Sequence, residues 1–386
     1  MKIAAVRSHV LKVPADEPYL GRLIDGSELG PSYTVRPPWR SLYSSRYETM
    51  LVEVVAEDGT TGWGEALAPV APEVPASIVD LLLAPVLRGM DAVAPRAAWY
   101  VLRDLMRERG HLVGHQADAH AAVDIALWDL AGKITGLGVA QLLGGAIRSR
   151  LPAYVSGLPK NSDAERAALA REWDGRGATA VKLHLGHGVA TDLATVDAIR
   201  ETAGRLRIAV DAHWAYPVTE AVVLAQGLAE RGVWFLEAPL APEDITGHAE
   251  LVARSAIPVA VGEAMRTRYE FDQWLAARAL RIAQPDVART GITELMAIAE
   301  LCAARNIPIA PHHSVGMGVA LAAGLHVAAA VENLTAFEYQ PTSTEVGSRI
   351  LTRPILPHPS AFDLPTGPGL GIDVDAEAVR TLAKES

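Results

Sequence analysis

The chain has 386 residues, half of them hydrophobic, a single cysteine and a formal net charge of −10. That length and apolar share allow a large core and exclude global disorder, while the acidic balance argues against a nucleic-acid partner. Cys302 stands alone, so no intrachain disulfide can form, and no run of about 18 apolar residues exists to span a membrane.

The first run, "MKIAAVRSHVLKV", alternates like a strand and lacks an apolar signal core, so a cytoplasmic protein in a reducing compartment is expected. A polar, Pro- and Gly-rich stretch follows, "PYLGRLIDGSELGPSYTVRPPWRSLYSSR", too long for a turn and expected to be a lid-like loop. It carries Arg22, Arg36, Arg40 and Arg46 among Tyr19, Tyr33, Trp39 and Tyr43, so an arginine there could clamp a second substrate carboxylate. "TMLVEVVAEDGTTGWGEA" reads as a hairpin around Asp58-Gly59. Helical patterns run from about Val74 to Leu143, including a buried helix in "DAHAAVDIALWDLAGK". His111, His115 and His120 lie before and at the start of that helix, where no nearby acid completes a metal site and a structural role is expected.

From residue 151 a rhythm sets in. Short apolar runs ("LPAYVSG", "AVKLHLG", "RIAVDAH", "VWFLEAP", "IPVAVGE", "RIAQPD", "IPIAPHH", "LTAFEY") alternate with helical stretches, one of which holds Cys302 as a buried hydrophobe. Eight such units predict an α/β chain with a (β/α)8 barrel. Functional groups then belong at the C-terminal strand ends, which carry Lys182 and His184, Asp211 and His213, Glu237, Glu263, Asp286, His312 and Glu338. Asp211, Glu237 and Glu263 are spaced by 26 residues, as are Asp286, His312 and Glu338, which predicts one phase and one mouth.

Three acids converging from successive strands repel unless a cation neutralises them, and an all-carboxylate set suits Mg²⁺ better than zinc. The alternative is a ring of solvated rim acids. Asp286 and His312 end neighbouring runs in matching contexts, "QPD" and "APH", which sets a carboxylate against an imidazole and makes a competent base. His312 should face the mouth and His313 away from it. Trp214, Tyr216 and His187 follow strand ends and are candidate pocket residues.

The ordered set Lys-x-His, Asp-x-His, Glu, Glu, Asp, His, Glu resembles the enolase superfamily, and within it the mandelate racemase-like acid-sugar enzymes. "GTTGWGEA", "DIALWDLAGK" and "GPGLGIDVD" extend the resemblance over nearly the whole chain. It implies a modified TIM barrel over 121–349 and an α+β capping domain over 1–120, to which 350–386 return. It also implies Mg²⁺ on Asp211, Glu237 and Glu263, a His312–Asp286 base dyad, Glu338 at the carboxylate or enolate oxygen, Lys182 beside the substrate carboxylate, a small sugar-acid substrate and a homo-oligomer. The use of one or two Mg²⁺ ions to stabilise an ene-diolate is a known property of such sites.

Two positions depart from the usual racemase pattern. His184 stands where a second lysine is common, as a base, a substrate contact or a packing residue. His213 resembles the Asp-x-His of galactonate dehydratase-like members, as a general acid or as a hydrogen-bond partner of a metal ligand. Dehydration to a 2-keto-3-deoxy acid is therefore expected, with racemisation, epimerisation or lactone cycloisomerisation as alternatives. A hydrolase would carry His-x-His at the first strand, which "LPAYVSG" lacks. A non-catalytic binder would need no dyad.

Overall fold

The computed structural model describes residues 1–14, 20, 27–30, 32–109 and 113–386, so Tyr19, Arg22 and His111 lie outside the described residues. The first alternating run forms β1 (Ile3–Val13). The stretch expected as a plain loop instead contains three short strands, β2 (Ser27–Leu29), β3 (Tyr33–Val35) and β4 (Leu42–Ser44), paired antiparallel. Glu48 ties this small sheet down, accepting from Tyr33 Oη at 3.1 Å and Ser44 Oγ at 2.6 Å. Glu48 belongs to the expected hairpin, β5 (Tyr47–Ala56) and β6 (Thr61–Ala66), and β5 also pairs antiparallel with β1.

Behind this N-terminal sheet lies the helix Gly114–Thr135, Ala-rich and buried along most of its length. Small residues on both sides let it approach β6 closely: a Cβ at Gly64 would fall on the Ala122 carbonyl oxygen and within 2.7 Å of Ala126 N. Buried acids then join the N-terminal domain to the rest. Glu65 accepts from Met317 N (2.6 Å) and Ala320 N (2.8 Å), Asp124 from Thr293 N (2.8 Å) and Thr293 Oγ1 (2.7 Å), and Asp129 from Trp63 N and Leu370 N (both 2.8 Å). Buried carboxylates are costly unless hydrogen-bonded, and several of these N–H groups lie at helix starts, where the backbone leaves donors unpaired.

The second half of the chain builds a curled parallel half-barrel. Its strands are β7 (Arg150–Ser156), β8 (Ala180–His184), β9 (Arg207–Asp211), β10 (Leu236–Glu237), β11 (Val259–Val261), β12 (Ile282–Ala283) and β13 (Phe337–Tyr339), in the spatial order β12-β11-β10-β9-β8-β7-β13. Helices follow the strands, as parallel crossovers require. The expected seventh run, "IPIAPHH", is not a regular strand. Isolated parallel bridges join Ile309 to Ala283 and to Leu334, and His312 to Asp286. Pro308 and Pro311 explain this, because proline cannot donate to a ladder.

One small core cluster takes a residue from each of the eight runs: Tyr154, Ala180, Ala209, Phe235, Ala260, Ile282, Ala310 and Ala336. β14 (Ala361–Asp363) then pairs antiparallel with the start of β7, and Ser386 Oγ accepts from Lys12 N at 2.8 Å, so the C-terminal segment reaches β1. Cys302 is fully buried in the helix Val287–Ala303, and burial pushes its thiol up to about 12. Among the described residues no helix is long and apolar enough to cross a membrane.

Candidate active site

The core cluster sets the level of everything above it. Side chains alternate along a strand, so the next inward position is two residues on. Counting two from each core residue gives Ser156, Lys182, Asp211, Glu237, Gly262, Gln284, His312 and Glu338. Seven of the eight are polar, and they form the floor of the site. At the fifth run the polar group is displaced by one residue. Gly262 takes φ +155°, its Cβ would lie 2.6 Å from the Gln284 carbonyl carbon, and Glu263 follows it. Asp286 lies four residues beyond its core residue, one layer above Gln284. The equal 26-residue spacing therefore does not mean equal height: Asp211, Glu237, His312 and Glu338 share the floor, whereas Glu263 and Asp286 stand beyond it.

Hydrogen bonds and ion pairs bind these groups into two sets, one around Lys182 and one around His312. Lys182 Nζ donates to Glu237 Oε1 at 2.7 Å and lies 2.8 Å from Glu338 Oε1. Gln284 Nε2 donates to Glu237 Oε2 at 2.6 Å, and Ser156 Oγ donates to Glu338 Oε1 at 2.5 Å. His312 Nδ1 donates to Asp286 Oδ2 at 2.6 Å, while its Nε2 sits 2.9 Å from Glu263 Oε2. Trp214 Nε1 donates to the other Glu263 oxygen at 3.2 Å. Lys182, Asp211, Glu237, Asp286, His312 and Glu338 are all buried.

Burial and charge compete over these groups. Burial lifts Glu237 to about 8 and Asp211 to about 7, with neighbouring carboxylates adding to the shift and Lys182 opposing it. Burial works against the ionised form of Glu338 too, but Lys182 and His312 bring it down to about 2. For His312, burial favours the neutral ring, yet Glu338, Glu263 and the Asp286 hydrogen bond hold it well above the usual imidazole value. Glu263 is held well below the carboxylate range, chiefly by His312 against the burial penalty. Two buried acids that resist ionisation beside one another form a donor set suited to a hard divalent cation. The expected triad nonetheless competes with protein partners: Glu237 is engaged by Lys182 and Gln284, Glu263 by His312 and Trp214. Asp211 falls in a second potential ligand group, with His184 and His213, whose donor atoms lie within 4.8 Å of one another.

The two departing histidines are half-buried at the mouth. His184 Nε2 is 3.3 Å from Ser156 Oγ, and its ring meets His213 edge-on at 5.2 Å. Burial drives the His184 pKa well below the ordinary value and brings His213 to about 4. His213 Nε2 stands 3.5 Å from Asp211 Oδ2, and Trp39 stacks on its ring at 4.1 Å. Trp39 also donates its indole N–H to the Leu185 carbonyl at 2.8 Å, which seats the N-terminal segment on the mouth.

Together these residues enclose a cavity of about 230 Å³ whose walls include Lys182, His184, Asp211, His213, Trp214, Glu263, His312 and Glu338. It suits a small polar ligand, being smaller than typical drug-sized sites. From the N-terminal domain Ser41, Tyr43, Ser44 and Arg46 close it. Arg36 reaches instead to the Leu20 carbonyl, and Arg40 is exposed. Tyr216 does not enter the cavity, because its hydroxyl donates to buried Asp192; His187 is exposed beside Trp39. His313 is buried away from the cavity, 6.2 Å from the Phe337 ring. Near the start of the helix Gly114–Thr135, Asp118 stands 3.9 Å from His115. That carboxylate is already shared by Arg266 and Arg289. His120 bonds Gln116 at 3.1 Å.

Sequence reasoning missed Ser156, Gln284 and Arg289. The first two were open to it, since alternation from the core residues points straight at them. Arg289 sits in a helix start after Asp286, where no periodicity marks a pocket residue.

Residues 165–379 match the enolase C-terminal domain-like family, and residues 31–144 match the mandelate racemase / muconate lactonizing enzyme N-terminal domain. The chain belongs to the enolase superfamily. Among its superfamily relatives, D-galactarolactone cycloisomerase of Agrobacterium fabrum is 33% identical over 98% of both chains. Arabinonate dehydratase of Saccharolobus solfataricus is 31% identical over 85% of this chain and 88% of its own. A solved enolase-superfamily structure from Agrobacterium tumefaciens superposes with a TM-score of 0.93 at 36% identity, over 98% of both chains. This superfamily member therefore has enzymes as its relatives, both lyases and an isomerase.

Proposed function

We propose that the protein is a Mg²⁺-dependent acid-sugar dehydratase, in which His312 removes the proton α to a carboxylate. The observation that carries this reading is the His312–Asp286 pair at 2.6 Å, facing a cavity that also gathers Lys182, Asp211, Glu263 and Glu338. Asp286 fixes the imidazole tautomer, so Nε2 is the atom that takes the proton. Lys182 and Glu338 bracket the substrate carboxylate or the oxygen that becomes enolic. Asp211, Glu237 and Glu263 would hold the cation. A bound Mg²⁺ supplies the positive charge that lowers the cost of a second negative charge on the substrate carboxylate. His213, or His184, is the candidate acid for the departing β-hydroxyl, a role that requires an anionic substrate to raise its pKa, since burial alone keeps both rings neutral.

Within this reading the parallel sheet closes through the Ile309 bridges into a (β/α)8 barrel over 121–349, and residues 1–120 with 350–386 act as the cap. Cytoplasmic location and homo-oligomeric assembly belong to the same proposal.

A lactone cycloisomerase is the second reading, supported by the relative of that name that matches 98% of both chains. Both reactions are β-eliminations after the same proton abstraction. In one the leaving oxygen departs as water, in the other as the ring carboxylate, which needs no acid. Mass spectrometry separates them: dehydration loses water, whereas cycloisomerisation conserves mass. Loss of water from an open-chain sugar acid supports the first reading, and turnover confined to lactones without mass change supports the second.

A further inference from the structure

We infer that Arg289 reads a second carboxylate at the far end of the substrate, so that the preferred substrates are dicarboxylates of the aldarate class or their lactones. This rests on the reading that the cavity takes a sugar acid, and it adds the chemistry of that acid's other end.

Arg289 lies three residues beyond Asp286 at the start of the helix Val287–Ala303. The same helix start thus presents both the base's partner and a guanidinium to the cavity, and Arg289 lines its wall. Asp286 is already one layer above the floor, so Arg289 enters above the groups that take the first carboxylate. The floor's own lysine, Lys182, is committed to two buried carboxylates.

Arg289 has no such commitment. Its Nη1 stands 3.7 Å from Asp118 Oδ1, beyond hydrogen-bond distance, and the same oxygen receives Arg266 Nε at 3.3 Å. Two guanidinium groups therefore share one carboxylate. Arg289 Nε has no hydrogen-bond partner among the described residues, though its side chain is only 21% exposed. A part-buried guanidinium with an unmet donor, which shares Asp118 with Arg266 and acts on Glu263 only through its charge, is a receptor for a planar oxyanion. Ser41, Tyr43 and Arg46 supply further donors to the cavity wall, with Arg46 exposed at its rim. A substrate ending in a neutral hydroxymethyl group would leave the Arg289 donors unpaired, and sites discriminate most strongly against ligands that do so.

The competing account is structural: Arg289 joins Asp118 only to hold the Gly114–Thr135 helix against the sheet. Kinetics with Mg²⁺ separate the two, using galactarate and the other hexaric and pentaric acids with their lactones, each against its aldonate. The wild type should favour diacids. Arg289→Gln should lose about 10- to 100-fold more kcat/KM on the diacid than on the monoacid, mainly through KM. Arg289→Lys, which keeps the charge toward Asp118, should lose part of the preference while melting at the wild-type temperature, which covers a failure of the Gln variant to fold. Asp118→Asn should leave the preference intact. Equal losses on both acids in Arg289→Gln, a preference abolished by Asp118→Asn, or a wild type that favours monoacids would overturn the inference. Should no acid turn over, the dehydratase reading falls by itself. Calorimetric titration of galactarate and galactonate into the Mg²⁺-loaded protein still decides Arg289, because equal affinity of wild type and Arg289→Gln for the diacid sinks it.

Discussion

His312 and His313 share a peptide bond and little else. One donates Nδ1 to Asp286 and turns Nε2 into the cavity; the other packs its ring near Phe337, with burial lowering its pKa. Strand-like alternation separates them, and that much was legible in "APHHSVG". If His312 is the base, His312→Asn should cut turnover by about 10³-fold, within the range general-base catalysis contributes, while far-UV circular dichroism stays unchanged. His313→Asn should cost stability and leave the pH profile of turnover as it was. Retained activity in the His312 variant would assign proton abstraction elsewhere. The partners of the floor were less legible. The hydrogen bonds of Gln284 to Glu237 and of Ser156 to Glu338 join residues on different runs, and no local pattern announces such pairs.

The elements were read well where pattern and chemistry agreed, as in β1, the β5–β6 hairpin and the succession of parallel units. They were read too long where proline intervened. "VWFLEAP", "RIAQPD" and "IPIAPHH" yield two residues, two residues and isolated bridges, because Pro239, Pro258, Pro285, Pro308 and Pro311 remove ladder donors within or beside those runs. The lid stretch was misread as a loop, since strands of three residues leave almost no periodicity to detect. Close approach was also invisible to sequence. The hairpin glycines read as turn chemistry, yet Gly64 is the point where β6 touches a helix backbone. Gly64→Ala should therefore destabilise the fold by about 3 kcal/mol or more, as overpacking against backbone cannot relax through a rotamer. Urea unfolding measures this, and a change below about 1 kcal/mol would mean the two elements are not in contact.

The whole molecule is held by acids that join its N-terminal domain to the half-barrel, which makes its stability depend on pH. Burial lifts Asp124 from an ordinary 3.8 to about 7. A carboxyl raised on folding contributes stability that is complete below its unfolded pKa and is lost as pH climbs through the folded one. Between pH 5 and pH 8 this group should cost the fold on the order of 2 kcal/mol, and Asp124→Asn should remove that part of the slope. Parallel pH dependences of wild type and variant in urea unfolding would show that Asp124 ionises freely. The proposed metal centre gives a second global signature. Asp211 and Glu237 repel in a buried site, so Mg²⁺ at about 100 times its Kd should add about 2.7 kcal/mol, visible as a rise in Tm. Glu237→Gln should lose that increment; an undiminished Mg²⁺ effect would place the ion on other ligands.

One measurement bears most directly on the central claim, that this superfamily member abstracts an α-proton with His312. The purified protein is incubated with Mg²⁺ in D₂O against monoacid and diacid sugars and their lactones, and followed by proton NMR. The expected result is consumption of one of these acids with growth of a 2-keto-3-deoxy product, and neither consumption nor deuterium exchange in His312→Asn. Turnover that persists in His312→Asn, or an acid that binds yet exchanges no α-proton in the wild type, would contradict it.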